Sequence, residues 1–543
     1  MGDPASSRTG PIGSDRAVRR EHGLPVAVEL SRRRLLGGSL ALGSLGVLSA
    51  CSAPTAFEVD ADAPPVQGGT LRVGLSGGSS ADSIDAHITV NSGDSARAIN
   101  LYEPLVERDD EYKIAYRLAE SMEPNDDGSV WTLYLRENLK FSDGSDLTAD
   151  DVVFTFERVT DPEDPKTNAS NLATFDRAVA VDDRTVEVHL TSPNAVLDDA
   201  LAQYSMGVVP RDYDPENPVG AGPFKLKSFT AGVSTVLERN PHYWDTAPHL
   251  DQVELLNFND TDALINALLS SQVDCVGQIP VALVEVLESD ERMAVLNSAT
   301  GMWLPFTMRV DVKPFDDVRV RRAFRLAVDR EQMIDQVLSG HGRPGNDMFS
   351  PYDPSYPRDF PQRDQDVAEA KRLLSEAGYP DGLTVELVTA PIQSGVVEAA
   401  QVFAQQAKDV GITVEIRRVD TTTFFGDQYL QWDFAQSFWY TRNFLPQARN
   451  CATAEAPFNE TAWTDQEFTD LLDTAQAELD ETRRNDLIRK AQQRLYDDGG
   501  YIIWGFANQV DAYQRYVLGL RENSTGLPLS GYTFRRVWLG EVS

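Results

Sequence analysis

Residues 383–416 carry the pattern that most restricts how this chain folds. LTVEL is followed by VVEAAQVFAQQAKDVG and then by ITVEI. In both short stretches apolar residues alternate with polar ones, as in a strand with two unlike faces. The middle stretch repeats its apolar residues at helical spacing. A strand, a helix and a strand joined by short links place the two strands parallel, with a right-handed crossover between them. The expected fold class is therefore α/β. Elements of the same kind surround this unit. Val320, Ala323, Phe324 and Ala327 line one helix, and Asp329 with Gln332 reads as the cap of the next, which ends near Gly340. Asp366 and Glu369 read as the cap of a third, whose inner face is Val367, Ala370, Leu374 and Ala377. Thr464 and Glu467 read as the cap of another helix, Gly499-Gly500 stops the one after it, and YIIWGF (501–506) reads as one apolar strand.

The first half is richer in sheet. Stretches 68–75, 131–136, 186–190 and 224–229 alternate as strands, and Thr148 with Asp151 forms a capping-box pattern ahead of the apolar face Val152, Val153, Phe156. A chain of 543 residues exceeds one ordinary core, so two or three lobes are expected. The second lobe reads as an insertion into a first lobe built from both chain ends, with two strand-like crossings as a hinge. No repeat period is present.

The beginning of the chain carries other information. Ser31-Arg32-Arg33-Arg34-Leu35-Leu36 resembles a twin-arginine address, and the apolar run 35–50 is shorter than the roughly 20 residues of a membrane-spanning helix. A positive segment, a short apolar run and a small-residue end describe an export signal over residues 1–50. The run closes on Leu48-Ser49-Ala50-Cys51, similar to a lipobox in which Cys51 receives a lipid, so the chain is expected to be lipid-anchored on the extracytoplasmic face of the membrane. Residues 51–67 read as a flexible tether. The remaining cysteines, Cys275 and Cys451, are either a disulfide or two buried thiols. The net charge of −35 repels phosphate backbones and argues against nucleic acid as a partner.

Catalysis finds little support. The six histidines include no pair at i, i+4, and there is no phosphate-binding glycine loop and no dinucleotide fingerprint, so neither a metal nor a cofactor is expected. Gly74-Leu75-Ser76-Gly77-Gly78 satisfies G-x-S-x-G, but SSADSIDA follows where a hydrolase elbow needs a helix. An exported hydrolase using Ser76 stays as the alternative, beside a solute-sensing receptor component.

Three long blocks carry a family likeness: residues 102–159, opening YEPLVERDDEYKIAYRLAE; residues 220–245, GAGPFKLKSFTAGVSTVLERNPHYWD; and residues 315–344, opening FDDVRVRRAFRLAVDREQMIDQVLSG. They resemble the signature blocks of family 5 extracytoplasmic solute-binding proteins, and the likeness extends from Gly69 to about Gly540. The resemblance implies a two-lobed periplasmic-binding-protein-like clamp of type II. Its first lobe would span 68–305 with an extra subdomain at about 108–214, its second lobe 306–506, and residues 507–543 would return to the first. A monomeric, non-enzymatic clamp would close on a peptide or other small polar solute and pass it to an ABC permease. Where peptide-binding relatives place a Trp and then an Asp for the peptide amino group, DFAQSFWYTRNF offers Trp439 but no Asp; Arg442 and Asn443 stand there instead. Trp439 and Tyr440 read as ligand contacts or as core, and Arg442 as a ligand contact or an internal ion pair. The loop after the first strand, with Ser76, Ser80 and Asp82, and Trp303, just before the first hinge crossing, are further ligand-binding candidates.

Overall fold

The computed structural model describes residues 59–60 and 63–542. The export signal, Cys51 and most of the tether lie outside the described residues. Among the described residues no helix is long and apolar enough to cross a membrane.

Strands from both ends of the chain share one eight-stranded sheet. Its order is Met293–Trp303, Gly505–Gln514, Cys275–Val276, Thr70–Ser76, Gln252–Phe258, Ser234–Arg239 and Phe224–Thr230, with Gly342–Pro344 also pairing Gly505–Gln514. Thr70–Ser76 runs parallel to both its neighbours. Leu71, Val73 and Leu75 are buried, as the alternation requires. A four-stranded antiparallel sheet, with Val130–Leu135 near its centre, packs on helix Ala149–Val159 around Trp131, Phe141 and Phe156. The capping box that starts this helix is formed by Thr148 and Asp151.

The predicted parallel unit is present: Leu383–Thr389 pairs parallel with Ile412–Arg418, and helix Val396–Asp409 connects them. Phe403 on that helix meets Phe306, Phe324 and Phe434 in the core of this region. Asp329 and Asp366 cap their helices, accepting from the amides of Gln332 and Glu369.

The chain passes from the eight-stranded sheet to a small three-stranded one twice. Met293–Trp303 leads through residues 304–305 into Phe306–Met308, and Tyr501–Ile502 leads through residues 503–504 into Gly505–Gln514. The single strand expected over 501–506 is thus two strands, because Ile503 exchanges hydrogen bonds with buried Asp347 instead of a neighbouring strand. The cap expected at Thr464 is Asp465, which accepts from Phe468 N. A carboxylate one residue later does the capping, and Glu467 lies in the first turn. No bond joins Cys275 and Cys451. Both are buried free thiols in different hydrophobic clusters, Cys275 on its sheet and Cys451 at the end of helix Phe444–Cys451.

Candidate functional site

A cavity of about 470 Å³ lies where the eight-stranded sheet, helix Ser92–Leu101, the C-terminal segment and loop 439–443 converge. Local sequence builds the loop. Trp439 forms an isolated antiparallel bridge with Trp303, each amide donating to the other's carbonyl at 3.0 Å. In extended chain, side chains alternate between faces. Trp439 and Thr441 therefore turn inward, and Tyr440 and Arg442 line the cavity. Thr441 fixes the register: its hydroxyl accepts from Gly301 N (2.8 Å) and donates to Ser524 O (2.9 Å), and its carbonyl accepts from Tyr112 OH (2.9 Å).

Of the candidates named from sequence, Ser76, Tyr440 and Arg442 line this cavity. Trp303 and Trp439 belong to the core. They stack with centroids 6.0 Å apart, and Trp303 also packs on Phe349 and Tyr501. Asp82 is buried and its carboxylate is filled, accepting from Ser79 N, Asn257 Nδ2 and Gly232 N, so it shapes the loop rather than the cavity wall. Ser80 is exposed and away from the lining. Asn443 lines a neighbouring cavity. Ser76 is followed by loop until helix Ser92–Leu101, and no histidine is among the lining residues, so the hydrolase geometry does not form.

Sequence reasoning missed the wall made by one face of helix Ser92–Leu101. Ser92, Ser95 and Ile99, with Tyr102 just beyond, recur at helical spacing and line the cavity. Tyr112 was missed as well, although it joins the turn after Arg108 to loop 439–443.

The charges in the wall cancel except at one place. Glu103 pairs with Arg117, Glu107 with Arg535, and Arg108 with Asp199. Arg442 makes no hydrogen bond or ion pair among the described residues; its guanidinium lies over the Trp439 ring, 5.7 Å from the centroid. Partly buried, it faces the cavity with its donors free. A planar, permanently charged fork in that state suits a carboxylate or phosphate bidentately.

Behind the tryptophan pair sits Glu460, buried without a cation in ion-pair range among the described residues. Ser437 (2.5 Å), Tyr501 (2.9 Å) and Tyr429 (3.3 Å) donate hydroxyls to it. Burial pushes its carboxyl up to about 7. A folded pKa above the unfolded one means that this contribution is complete below about pH 4.5 and is lost as pH rises through about 7. Stability should therefore fall between pH 5.5 and 8 by about 2 kcal/mol from this group. Urea midpoints of wild type and Glu460→Gln at both pH values test it. The difference between the two proteins should change with pH, and parallel pH profiles would contradict it.

The sequence profile of the bacterial extracellular solute-binding proteins, family 5, matches residues 113–455, more than half of the chain. The chain belongs to that family. The periplasmic oligopeptide-binding protein OppA of Salmonella typhimurium is 28% identical over 502 residues, covering 85% of this chain and 92% of the relative. Among solved structures, the ABC transporter substrate-binding protein CtaP of Listeria monocytogenes superposes with a TM-score of 0.79 at 22% identity, over 88% of this chain and 100% of that one. The binding protein AgaA of A. tumefaciens R10, in complex with agropinic acid, superposes with a TM-score of 0.72 at 25% identity, over 87% and 99%. The solute-binding protein has the type II periplasmic-binding-protein fold that its sequence blocks implied.

Proposed function

We propose that this solute-binding protein captures a small solute bearing an anionic group, holds that group on Arg442, and delivers the solute to an ABC permease from a lipid anchor on Cys51. The free guanidinium of Arg442 in the cavity wall carries the reading. An oligopeptide relative and a relative bound to agropinic acid both fit a ligand with an acidic group. Closure about the two crossings at residues 304–305 and 503–504 would enclose the solute, since a ligand that touches both sides shifts the population toward the closed form by its differential affinity. Ser76, Tyr440 and the helix face Ser92, Ser95, Ile99 supply the remaining contacts, and the protein acts as a monomer without cofactor or metal.

Isothermal calorimetry with agropinic acid and with Ala-Ala-Ala tests the anion contact. Arg442→Ala should cost about 2 kcal/mol for the probe that binds, the low end for a charge pair because Arg442 is only partly buried. Arg442→Lys should recover part of that, since an ammonium lacks the bidentate fork. Unchanged affinity in Arg442→Ala would reject the contact. Export by the twin-arginine route followed by lipidation predicts that Cys51→Ser loses lipid labelling and moves to the soluble fraction; a mutant still membrane-bound and labelled would remove the anchor.

A further inference from the structure

A second cavity of about 320 Å³ adjoins the first, between helix Leu197–Leu201 with its preceding loops and helix Phe444–Cys451. Tyr112, Gln203 and Arg442 line both, so they form the waist between two chambers. Apart from Arg442 at the waist, the charged side chains that line the second chamber are paired. Asp199 is paired with Arg108 and Arg449 with Asp473. Its polar wall is mostly carboxamides, among them Asn194, Asn443 and Asn450, with the hydroxyls of Ser170 and Thr174, and its carbon wall includes Leu445 and Pro446. Asn443 is the telling residue. It stands at the N-cap of helix Phe444–Cys451, yet its side chain makes no capping bond: the third helical residue, Pro446, has no N–H to donate, and the Phe444 amide goes to Asp353 Oδ2 at 2.7 Å. Asn443 Oδ1 is buried and has no hydrogen-bond partner among the described residues. A buried acceptor left unpaired costs free energy that a donor on a bound molecule would recover.

Resting on the reading of Arg442 as the anion site, we infer that the solute is two-part: its anionic group sits at the waist on Arg442, and an uncharged, hydrogen-bonding arm enters the carboxamide-walled chamber, where a hydroxyl or amide N–H donates to Asn443 Oδ1. The arm bears amide or hydroxyl groups on a carbon frame and carries no charge. A charged arm would be buried in a chamber whose own ions are already paired. Solutes that end at the anionic group would occupy the first chamber alone.

Two carboxylate probes separate the chambers by calorimetry: N-acetylglycine, with almost no arm, and N-acetyl-Ala-Ala-Ala, with a neutral amide arm. Ala200→Phe places a ring in the second chamber from helix Leu197–Leu201 without touching the first. It should weaken N-acetyl-Ala-Ala-Ala at least tenfold and leave N-acetylglycine within twofold, while Arg442→Ala weakens both. Asn443→Ala, which removes no capping bond, is the second variant and should weaken only the longer probe, about threefold or more, with an unchanged circular dichroism spectrum. Equal effects of Ala200→Phe and of Asn443→Ala on the two probes would overturn the second chamber while Arg442 stands. If neither probe nor agropinic acid binds the wild type at millimolar concentration, or Arg442→Ala changes nothing, the anion reading fails and the two-part solute falls with it.

Discussion

Asp347→Ala is expected to destabilise the fold by about 3–5 kcal/mol, the range for removing one partner of a buried ion pair. The carboxylate is fully buried and holds Arg330 at 2.8 Å and Arg363 at 2.7 Å. It also accepts the Ile503 amide at 2.9 Å, fastening the return crossing between the two sheets. Burial alone would raise its pKa, but the charges of Arg330 and Arg363 outweigh that and keep it below the ordinary range. Without Asp347 two guanidinium groups lose their counter-charge in a dry interior. Arg325, buried beside them and bonded among the described residues to carbonyls of residues 496, 499 and 501, already has its pKa lowered to about 9, first by burial and then by the charge of Arg363. Guanidinium denaturation with an unchanged m-value should show the loss as a lower midpoint. A cost under 1 kcal/mol would mean that water reaches the cluster and the burial argument is wrong.

Trp303→Ala should cost a similar 3–5 kcal/mol, the range for deleting a buried tryptophan. Its ring is in contact with three others: Phe349 and Trp439 stacked at 5.4 and 6.0 Å, and Tyr501 edge-on at 5.4 Å. The void would open at the first crossing and behind the loop that presents Tyr440 and Arg442, so ligand affinity should fall along with stability. Trp303→Phe should retain more than half of the stability by keeping a ring in the stack. A loss below about 1.5 kcal/mol for Trp303→Ala would show that the site collapses around the gap rather than resting on the indole.

Local signals in the sequence predicted local structure well. Asp329 and Asp366 cap their helices because the N3 amide lies within reach of a side chain three residues earlier, a relation visible in any sequence. The parallel strands Leu383–Thr389 and Ile412–Arg418 followed from chain connectivity alone. The break in strand 501–506 was invisible, since Asp347, 156 residues away in sequence, causes it. At the site, Trp439 and Tyr440 had the same two readings, core or ligand, yet their surroundings differ. Extended chain sends neighbours to opposite faces, and the bridge to Trp303 that fixes which face is inward is long-range. Arg442 stood out by its departure from the pattern of peptide-binding relatives, but its lack of an ion pair among the described residues, in a chain with so many carboxylates, is a property of the folded surface. The cavity-lining face Ser92, Ser95, Ile99 was there to be read, although small polar residues at helical spacing look like an ordinary solvated face.

If Arg442 holds the anionic group of the solute, as proposed, the bound solute should depend on it. The direct measurement is mass spectrometry of small molecules released by denaturing gently purified protein, for wild type and Arg442→Ala side by side. A solute with a carboxylate or phosphate group is expected, released near one per chain from wild type and strongly depleted from Arg442→Ala. A solute without an acidic group, or the same acidic solute in equal amount from both proteins, would contradict it.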